Sequence, residues 1–124
     1  MPKKILIVED EEILADLLKT KLTGLGYDVS IAPDGLQGWK ALREILPDLV
    51  LLDIVMPKMS GIELLEHKLE DPSVKTIPVI IISNSGQPVE LQKCKDLGAK
   101  DWLIKTEFDP IEVVDKVIAQ IGKA

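Results

Sequence analysis

Four short stretches carry the polar residues whose types could do chemistry. Glu9 and Asp10 follow the apolar run KILIV (4 to 8), Asp53 lies in LVLLDI (49 to 54), Ser83 follows VIII (79 to 82), and Lys105 ends WLIK (102 to 105). If each run is a strand of one parallel sheet, these residues all fall at carboxyl ends, where open α/β sheets bind ligands. Three carboxylates crowded at one rim repel one another and raise at least one pKa unless a cation neutralises them. An oxygen-only set without histidine selects a hard cation, Mg2+ ahead of Ca2+, because Mg2+ keeps several waters and needs few protein ligands. A divalent cation and an ammonium that neutralise equatorial oxygens, with a hydroxyl bonded to one of them, are the parts of a phosphoryl-transfer site. Asp53 is then the nucleophile that forms an aspartyl phosphate, held rigidly by its strand and exposed at the rim. An unpaired carboxylate in so apolar a run is otherwise costly.

Positioning these groups requires the runs to be strands, and the rest of the sequence supplies the alternation. Apolar runs of strand length take turns with segments of helical period, the pattern of a parallel sheet covered by helices on both faces. The four runs above read as buried strands. YDVSIA (27 to 32) instead alternates, with Tyr27, Val29 and Ile31 on one face, which suits a strand with one wet side near a sheet edge. Leu14, Leu17, Leu18, Leu22 and Leu25 form one apolar helix stripe, and Ile111, Val114, Val117, Ile118 and Ile121 form another. Asp34 with Gln37, Ser60 with Glu63 and Asp109 with Glu112 read as capping pairs, with Pro110 at a first helical position. Gly24, Gly26, Pro47 and Gly98 read as stops. The helix of PVELQKCKDLG, with Val89, Leu91, Cys94 and Leu97 set against several polar residues, is expected to pack most loosely and to be the one free to move.

Composition narrows the function. A chain of 124 residues with 46% hydrophobic residues fits one domain over 1–124, without an output domain. A net charge of −6 argues against direct nucleic-acid binding, which rests on clustered Lys and Arg. The sequence holds no long uncharged apolar stretch, and acidic residues follow MPKKILIV too soon for a secretory signal, so a cytoplasmic chain without membrane insertion is expected. The single cysteine, Cys94, excludes an internal disulfide. The lone His67 is expected on the wet side of a helix, and Trp39 reads as a packing or surface aromatic. Gly24 and Gly26 follow a helix and lack the third glycine of a dinucleotide loop, so they read as a helix stop.

ILIVEDEE, LVLLDIVMPKMSG, VIIISNSG and DWLIKT, in that order and at that spacing, resemble the signature segments of response-regulator receiver domains of two-component signalling. The resemblance spans essentially the whole chain. It implies a three-layer, doubly wound (βα)5 flavodoxin-like fold with a five-stranded parallel sheet in the order 2-1-3-4-5. It implies that Asp53 is the phosphoacceptor and that Glu9 and Asp10, with Asp53 and the backbone carbonyl of Val55, hold Mg2+. Ser83 is then the switch hydroxyl, Lys105 the phosphate-pairing lysine and Trp102 the switch aromatic. The expected function is a stand-alone switch, not an enzyme, phosphorylated by a histidine kinase or phosphotransfer protein. Phosphorylation would bias the surface of the fourth helix, fifth strand and fifth helix toward an unidentified protein partner. A monomer, or a weak phosphorylation-dependent dimer, is expected.

Three departures qualify the resemblance. Thr106 replaces the proline common after the lysine, which predicts a trans Lys105–Thr106 bond, because a cis bond there costs about 2.5–4 kcal/mol. Trp102 is bulkier than the usual Tyr or Phe, and Asn84 stands where a small residue such as alanine is frequent. Val55, two residues after the phosphoacceptor, is expected to disfavour a positioned attacking water and lengthen the phosphorylated lifetime. Two other functions compete: a phosphorylation-independent scaffold, favoured by Thr106 and Trp102, and a Mg2+-dependent phosphohydrolase. The phosphohydrolase is disfavoured because Val55 stands where such an enzyme carries a second Asp. Glu11 and Glu12 read as solvated acids at a helix start.

Overall fold

In the computed structural model, which describes residues 2–83, 88–105 and 109–124, five strands alternate with five helices. They are β1 (Lys4–Val8), α1 (Glu12–Thr23), β2 (Asp28–Ala32), α2 (Gly35–Ile45) and β3 (Leu49–Asp53). There follow α3 (Gly61–Glu70), β4 (Val79–Ser83), α4 (Pro88–Asp96), β5 (Asp101–Ile104) and α5 (Pro110–Ile121). The strands pair in parallel in the order β2-β1-β3-β4-β5, so the expected order holds.

The pleat divides the apolar strand residues between two cores. Ile5, Ile7, Leu49, Leu51, Ile80 and Ile82 pack with Ala15, Leu18 and Leu22 of α1 and Val113 and Val117 of α5. Their neighbours Leu6, Val8, Val50, Leu52, Val79 and Ile81 face the other way, onto Leu42 of α2, Leu64 and Leu65 of α3 and Cys94 of α4. Continuous apolar runs are what strands buried on both faces demand, and β1, β3 and β4 are such strands. The three capping pairs form as read: Asp34, Ser60 and Asp109 accept from the amides of Gln37, Glu63 and Glu112.

Three expectations need correction. β5 is an edge strand with only Leu103 buried, because among the described residues nothing pairs beyond it and an edge strand needs little apolar cover. Leu17 and Leu25 are about half exposed, and the buried α1 positions are Ala15, Leu18 and Leu22. On α5 the buried stripe is Val113 and Val117, leaving Ile111 64% exposed. A stripe wider than one helix face fits the sheet only along its centre. Cys94 of α4 is fully buried in the core. Thr106 and its peptide bond, and Asn84, lie outside the described residues. Among the described residues, no helix is long and apolar enough to cross a membrane.

Two helices begin with a capping residue followed by glycine, and close approach explains both. A Cβ on Gly35 would lie 1.7 Å from the carbonyl oxygen of Met59, and one on Gly61 would lie 2.3 Å from that of Asp53. The start of α3 therefore abuts the end of β3, and the start of α2 abuts the loop between them. Lys58, at φ 70, makes the turn in that loop, and its ammonium lies 3.8 Å from Asp34. The segment that follows Asp53 is thus wedged between two helix starts.

Candidate functional site

The sheet order reverses between β1 and β3, because the chain leaves them toward opposite edges. Register puts Val8 beside Leu52, so Glu9 and Asp53 are neighbours at this switch point. Asp53 pairs with Ile82 and Ser83 with Ile104, which brings Ser83 and Lys105 to the same rim. The amide of Lys105 donates to the carbonyl of Ser83 at 2.7 Å. One oxygen each from Glu9, Asp10 and Asp53 lies within 4.8 Å of the others.

The ammonium of Lys105 sits at the centre of these acids. It lies 3.0 Å from Glu9 Oε1, 3.1 Å from Asp53 Oδ2 and 3.3 Å from Glu11 Oε1, and it donates to both Glu9 and Asp53. Asp53 is 1% exposed, which corrects the expectation of a carboxylate open at the rim: Lys105 and Glu9 cover it. Glu9 is equally buried, while Asp10 is exposed.

Burial dominates the electrostatics. It pushes Glu9 up to about 7, a rise opposed by the Glu11 amide and reinforced by the Asp53 charge, with Lys105 pulling back down. Asp53 is also raised, first by burial and against the hydrogen bond and charge of Lys105. Burial alone would lower the lysine, but the hydrogen bonds and charges of Glu9 and Asp53 outweigh it and hold Lys105 above its ordinary value. One lysine does not balance this many carboxylates. Glu9 Oε1 is buried and accepts no hydrogen bond, although the ammonium is 3.0 Å away. Oxygens of Glu9, Asp10 and Asp53 this close together, an oxygen-only set with one ammonium beside it, fit a hard divalent cation.

The remaining expected site residues lie around this centre. The backbone of Val55 adjoins it, with its amide 3.4 Å from Asp53 Oδ1, and its side chain is 65% exposed. Ser83 is buried at the end of β4. Trp102 is 43% exposed on the edge strand.

A family model for the response regulator receiver domain matches residues 5–118. The chain belongs to this family. As a receiver domain of two-component signalling, it is a signalling domain and not a classical enzyme. The DNA-binding response regulator MtrA of Mycolicibacterium paratuberculosis is 36% identical over 123 residues, covering 99% of this chain and 53% of that protein. The chain thus spans about half the length of the curated relatives it matches. Among solved structures, the receiver superposes on the chemotaxis protein CheY4 of Vibrio cholerae with TM-score 0.90 at 25% identity, covering 98% of this chain and all of that one. It superposes on a Borrelia burgdorferi chain described as a CheX-CheY-BeF3-Mg2+ complex with TM-score 0.88 at 31% identity, covering 96% of this chain and 89% of that one.

Two features of this receiver escaped the sequence reading. Glu11, read as a solvated acid, is 56% exposed at its side chain yet meets Lys105. Its position after two acids gave no signal of that contact. Gly35 and Gly61 were legible in principle, since a glycine just inside a well-capped helix has no helical purpose and so marks close approach.

Proposed function

We propose that this receiver is a Mg2+-dependent phosphoacceptor switch. Asp53 accepts the phosphoryl group, Glu9, Asp10, Asp53 and the Val55 carbonyl hold Mg2+, Lys105 pairs with the phosphoryl oxygens, and the Ser83 hydroxyl donates to one of them. The observation that carries this reading is the Lys105 ammonium seated between buried Glu9 and Asp53 at the switch point of the sheet. When bound, Mg2+ supplies the second positive charge that transfer onto an already anionic site requires.

The residues of the chain account for the other requirements. Asp53 is fixed by the β3 ladder below and by Gly61 beside its carbonyl, so its carboxylate is positioned before a donor arrives. A histidine kinase or phosphotransfer protein is the proposed donor, with Ile13 (87% exposed) and Leu17 on α1 offering apolar area next to the site for it to cover. The exposed Trp102 and Ile111 give the surface of α4, β5 and α5 apolar contacts for an unidentified downstream protein. A rotamer change of Trp102 that follows phosphorylation belongs to the same proposal. Action as a stand-alone cytoplasmic domain over 1–124 is also part of it, and the size and location of the natural polypeptide in its cell test that.

The decisive experiment is intact-protein mass after incubation with acetyl phosphate, with and without Mg2+, beside Asp53→Asn. A Mg2+-dependent gain of one phosphoryl group, absent in the variant, is expected. No gain while Mg2+ binding is independently seen overturns the switch in favour of a phosphorylation-independent scaffold.

A further inference from the structure

Glu11 is the residue before α1 and occupies its N-cap position, where a Ser, Thr, Asp or Asn side chain ordinarily bonds the free amides of the first turn and a glutamate is left free to reach elsewhere. It makes no such bond, whereas the N-cap side chains of α2, α3 and α5 all do. Its carboxylate reaches across to Lys105, 3.3 Å from Nζ. The amide of Glu11 donates to Glu9 Oε2 at 3.0 Å, so the residue is held in place by another acid that touches the same lysine.

Exposure orders the partners of Lys105. The side chains of Glu9 and Asp53 are 0% and 2% exposed, that of Lys105 is 6% exposed, and that of Glu11 is 56% exposed. Glu11 is therefore the outer partner, standing on the solvent side of the ammonium. It is also the partner most cheaply exchanged, since water can replace the lysine for an exposed carboxylate but not for a buried one.

We infer that Glu11 is a positioning residue: it anchors Lys105 in the unphosphorylated state and competes with the incoming phosphoryl group for the ammonium. The inference rests on Asp53 being the phosphoacceptor. In the reaction with acetyl phosphate, an Asp53 carboxylate oxygen forms the new P–O bond as the donor's P–O bond breaks, and that electron pair leaves with acetate. No proton or charge is gained or lost. The aspartyl phosphate then presents two negative charges beside Glu11, and Lys105 must turn from the glutamate to them. Glu11 thus favours the resting state twice, by holding the lysine and by repelling the product.

The test compares the full chain with Glu11→Gln and Glu11→Asp, using acetyl phosphate at saturating Mg2+ and reading the phosphorylation rate by intact mass. Glu11→Gln is expected to accelerate phosphorylation about two- to fivefold at low ionic strength, the range of an exposed ion pair. Added salt should shrink the difference. Glu11→Asp keeps the charge but shortens the reach, so it should behave like Glu11→Gln if contact with Lys105 is what matters. Exchange of the Lys105 ammonium protons, followed by NMR without phosphodonor, should quicken in both variants. Mg2+ affinity, measured by calorimetry, should fall far less than in Asp10→Asn. A Glu11→Gln rate equal to wild type, a wild-type rate in Glu11→Asp, or a loss of Mg2+ affinity matching Asp10→Asn overturns the inference alone. Failure of the wild type to gain mass overturns the phosphoacceptor reading and this inference with it.

Discussion

Substituting Gly61 by alanine tests whether packing fixes the nucleophile. A Cβ there lies 2.3 Å from the Asp53 carbonyl oxygen and 2.9 Å from the Ile54 Cα, and ordinary contact begins near 3.4 Å. Either the start of α3 or the end of β3 must retreat by about 1 Å. Neither has slack: the Gly61 amide donates to the Ile54 carbonyl at 2.8 Å, Ser60 caps the helix, and Asp53 is laddered to Ile82. Overpacking of this kind costs about 1–3 kcal/mol. A displacement of that size at a reacting group costs about 100-fold in rate. Equilibrium unfolding in urea and the phosphorylation rate with acetyl phosphate should therefore fall together. Gly24→Ala is the control, because its Cβ meets nothing nearer than 3.4 Å and its φ is −61. It should leave the rate unchanged and alter stability by less than about 1 kcal/mol. A Gly61→Ala protein with normal stability and rate refutes the reasoning. Lost stability with a normal rate shows that α3 absorbs the clash and Asp53 does not.

Lys58→Gly should stabilise the protein by about 1 kcal/mol in urea, because Lys58 holds φ 70 and its 3.8 Å ion pair with Asp34 is too exposed to offset the strain. Lys68 is buried in α3 with its ammonium on the Lys75 carbonyl, and burial, helped by Lys100, lowers it to about 8. The unfolded chain then binds more protons between pH 8 and 10.5, so stability rises with pH there, by up to about 3 kcal/mol, and Lys68→Met should abolish that rise in unfolding midpoints. Val55→Asn should shorten the lifetime of the aspartyl phosphate, since the exposed valine cannot hold an attacking water and an amide can; an unchanged decay of the phosphorylated mass would refute this.

The fold was legible because each local signal agreed with the others. ILIV, LVLL and VIII are continuous apolar runs, which strands buried on both faces require, and the capping pairs at Asp34, Ser60 and Asp109 placed three helix starts. The site was legible as residue types at strand ends. What escaped depended on three-dimensional reach. Ile111 continues the apolar period of α5, but periodicity does not say how much of a helix face the sheet covers, and the residue is left exposed. The burial of Asp53 follows from Lys105 folding over it, a contact made across 52 residues of chain. Glu11 reads as an ordinary acid at a helix start, because its partner is the lysine just after the fifth strand.

Why that lysine has to be the residue after β5 follows from the register. Glu9 is level with Asp53, which is level with Ile82; Ser83 is one residue farther along, level with Ile104, and Lys105 is one farther still. With strands about 4.8 Å apart and about 3.3 Å per residue, Lys105 starts about 10 Å to the side of Asp53 and about 7 Å beyond it. Only a long flexible stem spans that offset and still delivers a compact charge. At the end of β4 the amide of Lys105 donates to the Ser83 carbonyl, which fixes the root of the stem at the rim. A lysine extended over such a distance is held by its terminal contacts more than by its neighbours in sequence. The state of the site can therefore redirect it without disturbing β5, and the carboxylate that releases it most readily is that of Glu11, the exposed one just before α1.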